Sequence, residues 1–137
     1  MGGRGASSGI SERGHKYGTQ FHAVRDSDGK PMVYGNIKFV RLNEEAEDND
    51  LLETMTRGRV YAVVGPDDKV KRIIYFDNDN RRSRQVDLSH SHKGMAPPHV
   101  HHGYLHVEAE PSKSGASRPT AEERRMVETV LRLWEDR

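Results

Sequence analysis

Three short runs of strand-forming sequence, separated by turn sequences, restrict the possible fold more than any other feature of the chain. Each run has the length of a β-strand. In the sequences between them, Pro fixes φ, and Asp and Asn tolerate turn geometry. Loops this short join neighbouring antiparallel strands, so the region predicts an antiparallel meander. The predicted strands are 58–64, 69–77 and 82–90, and the predicted turns are 65–68 (GPDD) and 78–81 (NDNR).

The chain before this meander divides into a tail and a further strand. Residues 1–30 are rich in Gly and Ser and lack apolar periodicity, so we predict a disordered tail. The run 32–42 predicts a strand, and the acidic run 43–50 predicts a loop. Residues 51–55 predict one helical turn. The predicted organisation is therefore a tail, followed by one small domain over residues 31–137.

The C-terminal segment predicts a helix that packs on the sheet. Pro119 precedes the sequence Thr120-Ala-Glu-Glu123, which is a capping box with Thr120 as the N-cap. Apolar residues at helical spacing follow it and form one stripe. These residues are Met126, Val127, Val130, Leu131 and Trp134. Together with the meander, this helix predicts an α+β fold: an antiparallel sheet of four to five strands with the helix on one face.

Composition excludes several classes of protein. Only 33% of the 137 residues are hydrophobic, which predicts a small core. The net charge of +1 is not typical of a non-specific nucleic-acid binder. Without cysteine the chain forms no disulfide, thiolate metal site or cysteine nucleophile. We find no apolar run typical of a signal peptide or a membrane span, so we expect a soluble, cytoplasmic protein.

Histidines are concentrated just after the third predicted strand. If residues 93–98 form a loop, His92 lies opposite His99, and His90 lies opposite His101. Side chains alternate along a strand, so these four rings would project from one face of a β-hairpin. The other two would point to the opposite face. The six histidines of this segment are His90, His92, His99, His101, His102 and His106.

The same register predicts what surrounds the four rings. It places Val86 opposite Leu105 on one side and opposite Ile73 on the other. The histidines would then continue an apolar stripe at the rim of the core, and Asp87 would point to the opposite face. A slip of one residue would reverse every one of these assignments.

Clustered imidazoles support two kinds of chemistry. Ring nitrogens bind divalent metals such as Zn²⁺, and the four histidines are then the ligands. Alternatively, one ring takes a proton while another gives one, as RNA cleavage by the 2′-hydroxyl requires, with Lys93 or Arg84 binding the phosphate. A third possibility is that the rings are purely structural.

Five segments of the chain carry a resemblance to a known family: MGGRGASSG, ETMTRGRVYAVV, IIYFDNDNRRSRQVDLSHSHKGM, PHVHHGYLH and PTAEERRMVETVLRLW. They resemble small phage and prophage proteins that occur alone or as the tail of head-morphogenesis (minor capsid) proteins. The family is also similar in arrangement to polymorphic-toxin tails, which are often small RNases, although the Lys-Ser-Thr type motif of one toxin branch is missing here. The resemblance implies RNA or a phage head protein as partner, and the bacterial cytoplasm or the virion as location.

The functional hypothesis from sequence is a phage-encoded, RNase-like or toxin-like domain that acts through the four histidines. The alternative is a non-enzymatic phage accessory or assembly protein whose histidine hairpin is structural or binds metal. A metal-dependent hydrolase is the third hypothesis.

Overall fold

The computed structural model of the protein describes residues 21–43, 57–88, 98–102 and 117–137. These residues form one mixed sheet of seven strands and one helix, which confirms the α+β class. The elements are β1 (Phe21–Ala23), β2 (Val33–Tyr34), β3 (Ile37–Leu42), β4 (Val60–Val64), β5 (Val70–Phe76), β6 (Arg82–Asp87), β7 (His99–His102) and α1 (Ala121–Glu135). The predicted helical turn at 51–55 lies outside the described residues.

The sheet has the order β1-β3-β4-β5-β6-β7, and β2 pairs with β3. Strands β4 to β7 form the predicted antiparallel meander, and Ile73 lies opposite Val86 as predicted. The pair β3–β4 is parallel, with Ile37 opposite Val60, so the sheet is antiparallel in most of its strand pairs but not in this one. A parallel pair needs a crossover of about a dozen residues or more, and the connection 43–59 is long enough.

The N-terminal part of the sheet differs from the prediction in two ways. The run 32–42 is not one strand but the hairpin β2–β3, because Gly35 adopts φ +61° and reverses the chain between Tyr34 and Ile37. Strand β1 pairs with the end of β3, with Phe21 opposite Leu42. Residues 21–23 therefore belong to the sheet rather than to the predicted tail, and Arg25 forms an isolated bridge with Pro31. The tail prediction for residues 1–20 lies outside the described residues.

Helix α1 begins with the predicted capping box. The Thr120 side chain accepts a hydrogen bond from the Glu123 amide at 3.2 Å, and Glu123 accepts one from the Thr120 amide at 2.8 Å. Trp134 in the last turn stacks on Phe39 of β3 at a centroid distance of 5.5 Å. The indole Nε1 donates to the Asp68 carbonyl at 3.0 Å, so the helix is tied to the β4–β5 turn.

The sheet has a different apolar cluster on each face. The face under α1 carries the larger core, to which Val86 of β6, Val100 of β7 and Val130 of α1 contribute fully buried side chains. The face away from α1, called the far face below, carries a second cluster. Its buried members are Val40, Tyr61, Val63, Ile74 and Phe76.

Candidate metal centre

The pairing of β6 with β7 decides which side chains meet on the far face. Val86 lies opposite Val100, and Asp87 lies opposite His99. The predicted register paired His99 with residue 92, so it is wrong by an odd number of positions and turns the wrong face of β6 toward the histidines. The placement of Asp87 away from the rings is wrong for the same reason. Because Val86 and Val100 are both drawn into the core under α1, their neighbours along each strand point to the far face.

Two histidines and one aspartate converge on that face. His99 and His101 belong to β7, with ring centroids 5.2 Å apart. Oδ2 of Asp87 lies 3.4 Å from Nε2 of His99 and 3.1 Å from Nε2 of His101. The exposed fractions are 0% for His99, 5% for His101 and 4% for Asp87. Three side chains of types that can bind a metal therefore share a buried position, with one donor atom from each lying within 4.8 Å of the others.

Asp87 is held in its ionised form. Burial alone raises the pKa of a carboxyl group. Here hydrogen bonds from His101 and Gln85, together with the charges of His101 and His99, outweigh burial and hold the pKa of Asp87 below its ordinary value. The carboxylate is thus anionic at neutral pH, as a metal ligand or an orienting group requires.

A second layer of polar side chains fixes the carboxylate. Nε2 of Gln85 donates to Oδ1 of Asp87 at 2.8 Å, and Oε1 of Gln85 accepts from the Arg82 guanidinium at 3.3 Å. Gln85 and Arg82 are both buried. Because the arginine can only donate, it fixes which end of the Gln85 amide faces Asp87.

The structure brings together two of the four predicted histidines. His99 and His101 lie on one face as predicted, and His102 points to the other, where its Nε2 lies 2.9 Å from Oγ of Ser117. His90, His92 and Lys93 lie outside the described residues, as does His106.

Arg84 does not lie with the histidine cluster. Its guanidinium donates to Glu123 of α1 at 2.8 Å and lies 4.1 Å from the centre of the Tyr75 ring. Both contacts are on the face under the helix. Arg84 therefore ties the sheet to the first turn of α1, and the structure does not place it where a phosphate at His99 and His101 would bind.

Asp87 and Gln85 are the members of the site that sequence reasoning missed. A signal for them is present in the chain as two similar triplets, Gln85-Val-Asp87 on β6 and His99-Val-His101 on β7. Pairing the two central valines places the four flanking polar residues on one face. Burial of the two valines therefore predicts the observed register, whereas pairing of histidine with histidine does not.

A cavity of about 410 Å³ lies on the other side of the sheet, beside α1. Val70, Leu88, Val127 and Trp134 contribute to its mainly apolar lining. Its charged lining residues, Lys69 and Glu135, are both exposed. This lining includes none of the described histidines.

Comparison with protein-family models, curated proteins and solved structures found no match for this chain. Within the described part of the chain, no helix is long and apolar enough to cross a membrane. The resemblance to phage head-associated proteins stays a prediction.

Proposed function

We propose that the protein binds one divalent transition metal ion, with Zn²⁺ the best fit, and that the ion joins β6 to β7 through Asp87, His99 and His101. One observation carries the proposal: three buried side chains from two strands direct their donor atoms to a common point. Of the functions considered from sequence, this supports the non-enzymatic protein with a metal-binding histidine hairpin.

The distances between the donor atoms suit a tetrahedral ion. Zn²⁺ binds imidazole nitrogen at about 2.0–2.1 Å and carboxylate oxygen at about 2.0–2.2 Å, so neighbouring ligand atoms lie roughly 3.3–3.5 Å apart. The separations from Oδ2 of Asp87 are 3.4 Å to His99 and 3.1 Å to His101. Small side-chain movements would admit the ion. Each Nε2 must then offer its lone pair, with the ring proton on Nδ1.

The ligand types favour a transition metal over the alkaline-earth ions. Imidazole nitrogen suits Zn²⁺, Fe²⁺, Ni²⁺ and Cu²⁺, whereas Ca²⁺ and Mg²⁺ prefer oxygen ligands. Two of the three donors here are imidazoles. Zn²⁺ accepts the low coordination number that three protein ligands and one further donor provide.

Burial supports a site that holds the two strands together. His99 is fully buried and His101 nearly so, which is unfavourable for direct contact with a large substrate such as RNA. Bridging two strands with one ion instead links metal binding to folding, because the unfolded chain does not hold the ligands together.

Metal analysis of the untagged protein tests the proposal. We expect one Zn²⁺ per chain after dialysis, as measured by elemental mass spectrometry, and the same stoichiometry by isothermal titration calorimetry. Alanine at Asp87, His99 or His101 should abolish this uptake. His102→Ala is the matched control, since His102 is on the same strand but faces the other way. A wild-type protein without stoichiometric metal, or a His101→Ala variant that binds as well as the wild type, would contradict the proposal.

A metal-free RNase is the second candidate, and the contact between His101 and Asp87 favours it. A carboxylate beside an imidazole orients the ring and supports its action as a general base. If this candidate is right, the protein cleaves RNA in the presence of EDTA, and His101→Ala removes that cleavage while His102→Ala retains it. Cleavage that EDTA abolishes would instead support a metal-dependent hydrolase.

A further inference from the structure

The buried amide of Gln85 contacts the carboxylate of the proposed metal site. On β6 it precedes Asp87 by two residues, and it lies directly opposite His101. Its Nε2 binds Oδ1 of Asp87, while Oδ2 of the same carboxylate faces the two histidines. The two oxygens of one carboxylate thus have different partners.

We propose that Gln85 is a positioning residue that restricts Asp87 to binding metal through one oxygen and so determines which ions the site accepts. This inference rests on the proposed metal site. The amide engages Oδ1, so Oδ2 remains as the ligand oxygen. Arg82 holds the amide in the required orientation through its bond to Oε1.

Binding through one carboxylate oxygen favours small, four-coordinate ions. Zn²⁺ and Co²⁺ accept four ligands at short distances, whereas Ca²⁺ takes six to eight oxygen ligands, some from carboxylates that bind through both oxygens. Loss of the amide frees Oδ1 to bind as well. The site then accepts a higher coordination number, and its preference for Zn²⁺ over Ca²⁺ falls.

Gln85→Leu tests this role, because leucine fills a similar volume without a donor. Groups that orient metal ligands change affinity by about 10–100-fold when they are removed, so we expect Zn²⁺ binding to weaken within that range. Gln85→Met is the second variant, since its unbranched side chain adapts to the same space if leucine disturbs folding. Ser83→Ala is the control on the same strand, and it removes only a hydrogen bond to the Tyr75 carbonyl.

Visible absorption of the Co²⁺-loaded protein reports the coordination number of the ion, which a general loss of stability would not change in the folded protein. Four-coordinate Co²⁺ absorbs several times more strongly than five- or six-coordinate Co²⁺. We expect strong bands in the wild type and in Ser83→Ala, and weaker bands in folded Gln85→Leu or Gln85→Met. The ratio of Zn²⁺ affinity to Ca²⁺ affinity should likewise be lower in the Gln85 variants than in the wild type.

These measurements distinguish failure of the role of Gln85 from failure of the metal site itself. A wild-type protein that takes up neither Zn²⁺ nor Co²⁺ overturns the metal site and the role of Gln85 together. A wild type with strong bands, and folded Gln85 variants with the same spectrum and affinity, overturns only the role of Gln85.

Discussion

The two faces of the β6–β7 pair share one backbone ladder but hold opposite kinds of side chain. Under α1, Val86 and Val100 are fully buried in apolar surroundings. On the far face, Asp87 and Gln85 oppose His99 and His101, and these polar side chains are almost as deeply buried. The valine pair fixes the register that creates the polar cluster, so packing on one face determines the chemistry of the other.

The two faces are stabilised in different ways. Burial of a valine side chain contributes about 1.5–3 kcal/mol without any specific partner. A buried carboxylate needs hydrogen bonds, a counter-charge or a metal, and removal of its partner costs about 3–5 kcal/mol. At β6 and β7, the polar cluster on the far face therefore depends on specific partners, whereas the valine pair on the face under α1, called the helix face here, depends on volume.

Trp134→Ala should have the largest effect on stability and none on metal stoichiometry. The ring is almost fully buried against Phe39, so its loss should lower the free energy of unfolding by about 3–5 kcal/mol. Urea unfolding measures the first effect and metal analysis of the folded fraction measures the second. An unfolding free energy equal to that of the wild type would contradict the packing of Trp134 on Phe39.

Zinc should stabilise the wild type and leave His101→Ala unaffected. At a free concentration 100 times Kd, a ligand that binds only the folded state adds about 2.7 kcal/mol to the free energy of unfolding. The comparison is urea unfolding with Zn²⁺ and with EDTA, and His102→Ala should behave as the wild type. Equal stabilisation of His101→Ala would place the metal elsewhere.

Thr120→Ala should produce a smaller loss that is confined to the helix face. It removes the hydrogen bond to the Glu123 amide, and loss of an N-cap costs about 1 kcal/mol. We expect a lower urea midpoint with unchanged Zn²⁺ affinity. A changed affinity would mean that the two faces are coupled more tightly than the register alone requires.

The smallest effect concerns acid stability at the C-terminal end of α1. The pKa of Asp68 lies below its ordinary value, first because Arg41 donates a hydrogen bond to it and further because Arg41 and Arg137 are positively charged. A lowered pKa gives stability that is present above the unfolded pKa and is lost as pH falls through the folded value. Asp68→Asn should therefore remove part of the acid dependence in that pH range. Unchanged acid unfolding profiles would contradict this.

Local sequence signals predicted much of the fold. The turns at 65–68 and 78–81 reverse the chain as expected, with Asp68 at φ 67° and Asn80 at φ 64°. The capping box at Thr120 and Glu123 also has the predicted form. The parallel pair β3–β4 had no such signal, because strand direction across a long connection depends on tertiary packing rather than on local sequence.

The site was predicted only in part for a related reason. Alternation along one strand sufficed to place His99 and His101 together and His102 away from them. Which residues of β6 lie opposite the histidines depends on the register between β6 and β7, and local sequence does not specify the length of the loop that sets this register. Burial of Val86 against Val100 determines that register, and it brings in Asp87 and Gln85 instead of further histidines.

Anomalous X-ray diffraction from crystals soaked in Zn²⁺ would show whether Asp87, His99 and His101 bind a metal ion. Data collected above and below the zinc absorption edge locate the ion without reference to activity. We predict one strong peak about 2.0–2.2 Å from Nε2 of His99, Nε2 of His101 and Oδ2 of Asp87. An absent peak at this position, or a peak at His102 on the other face, would contradict the proposed metal site.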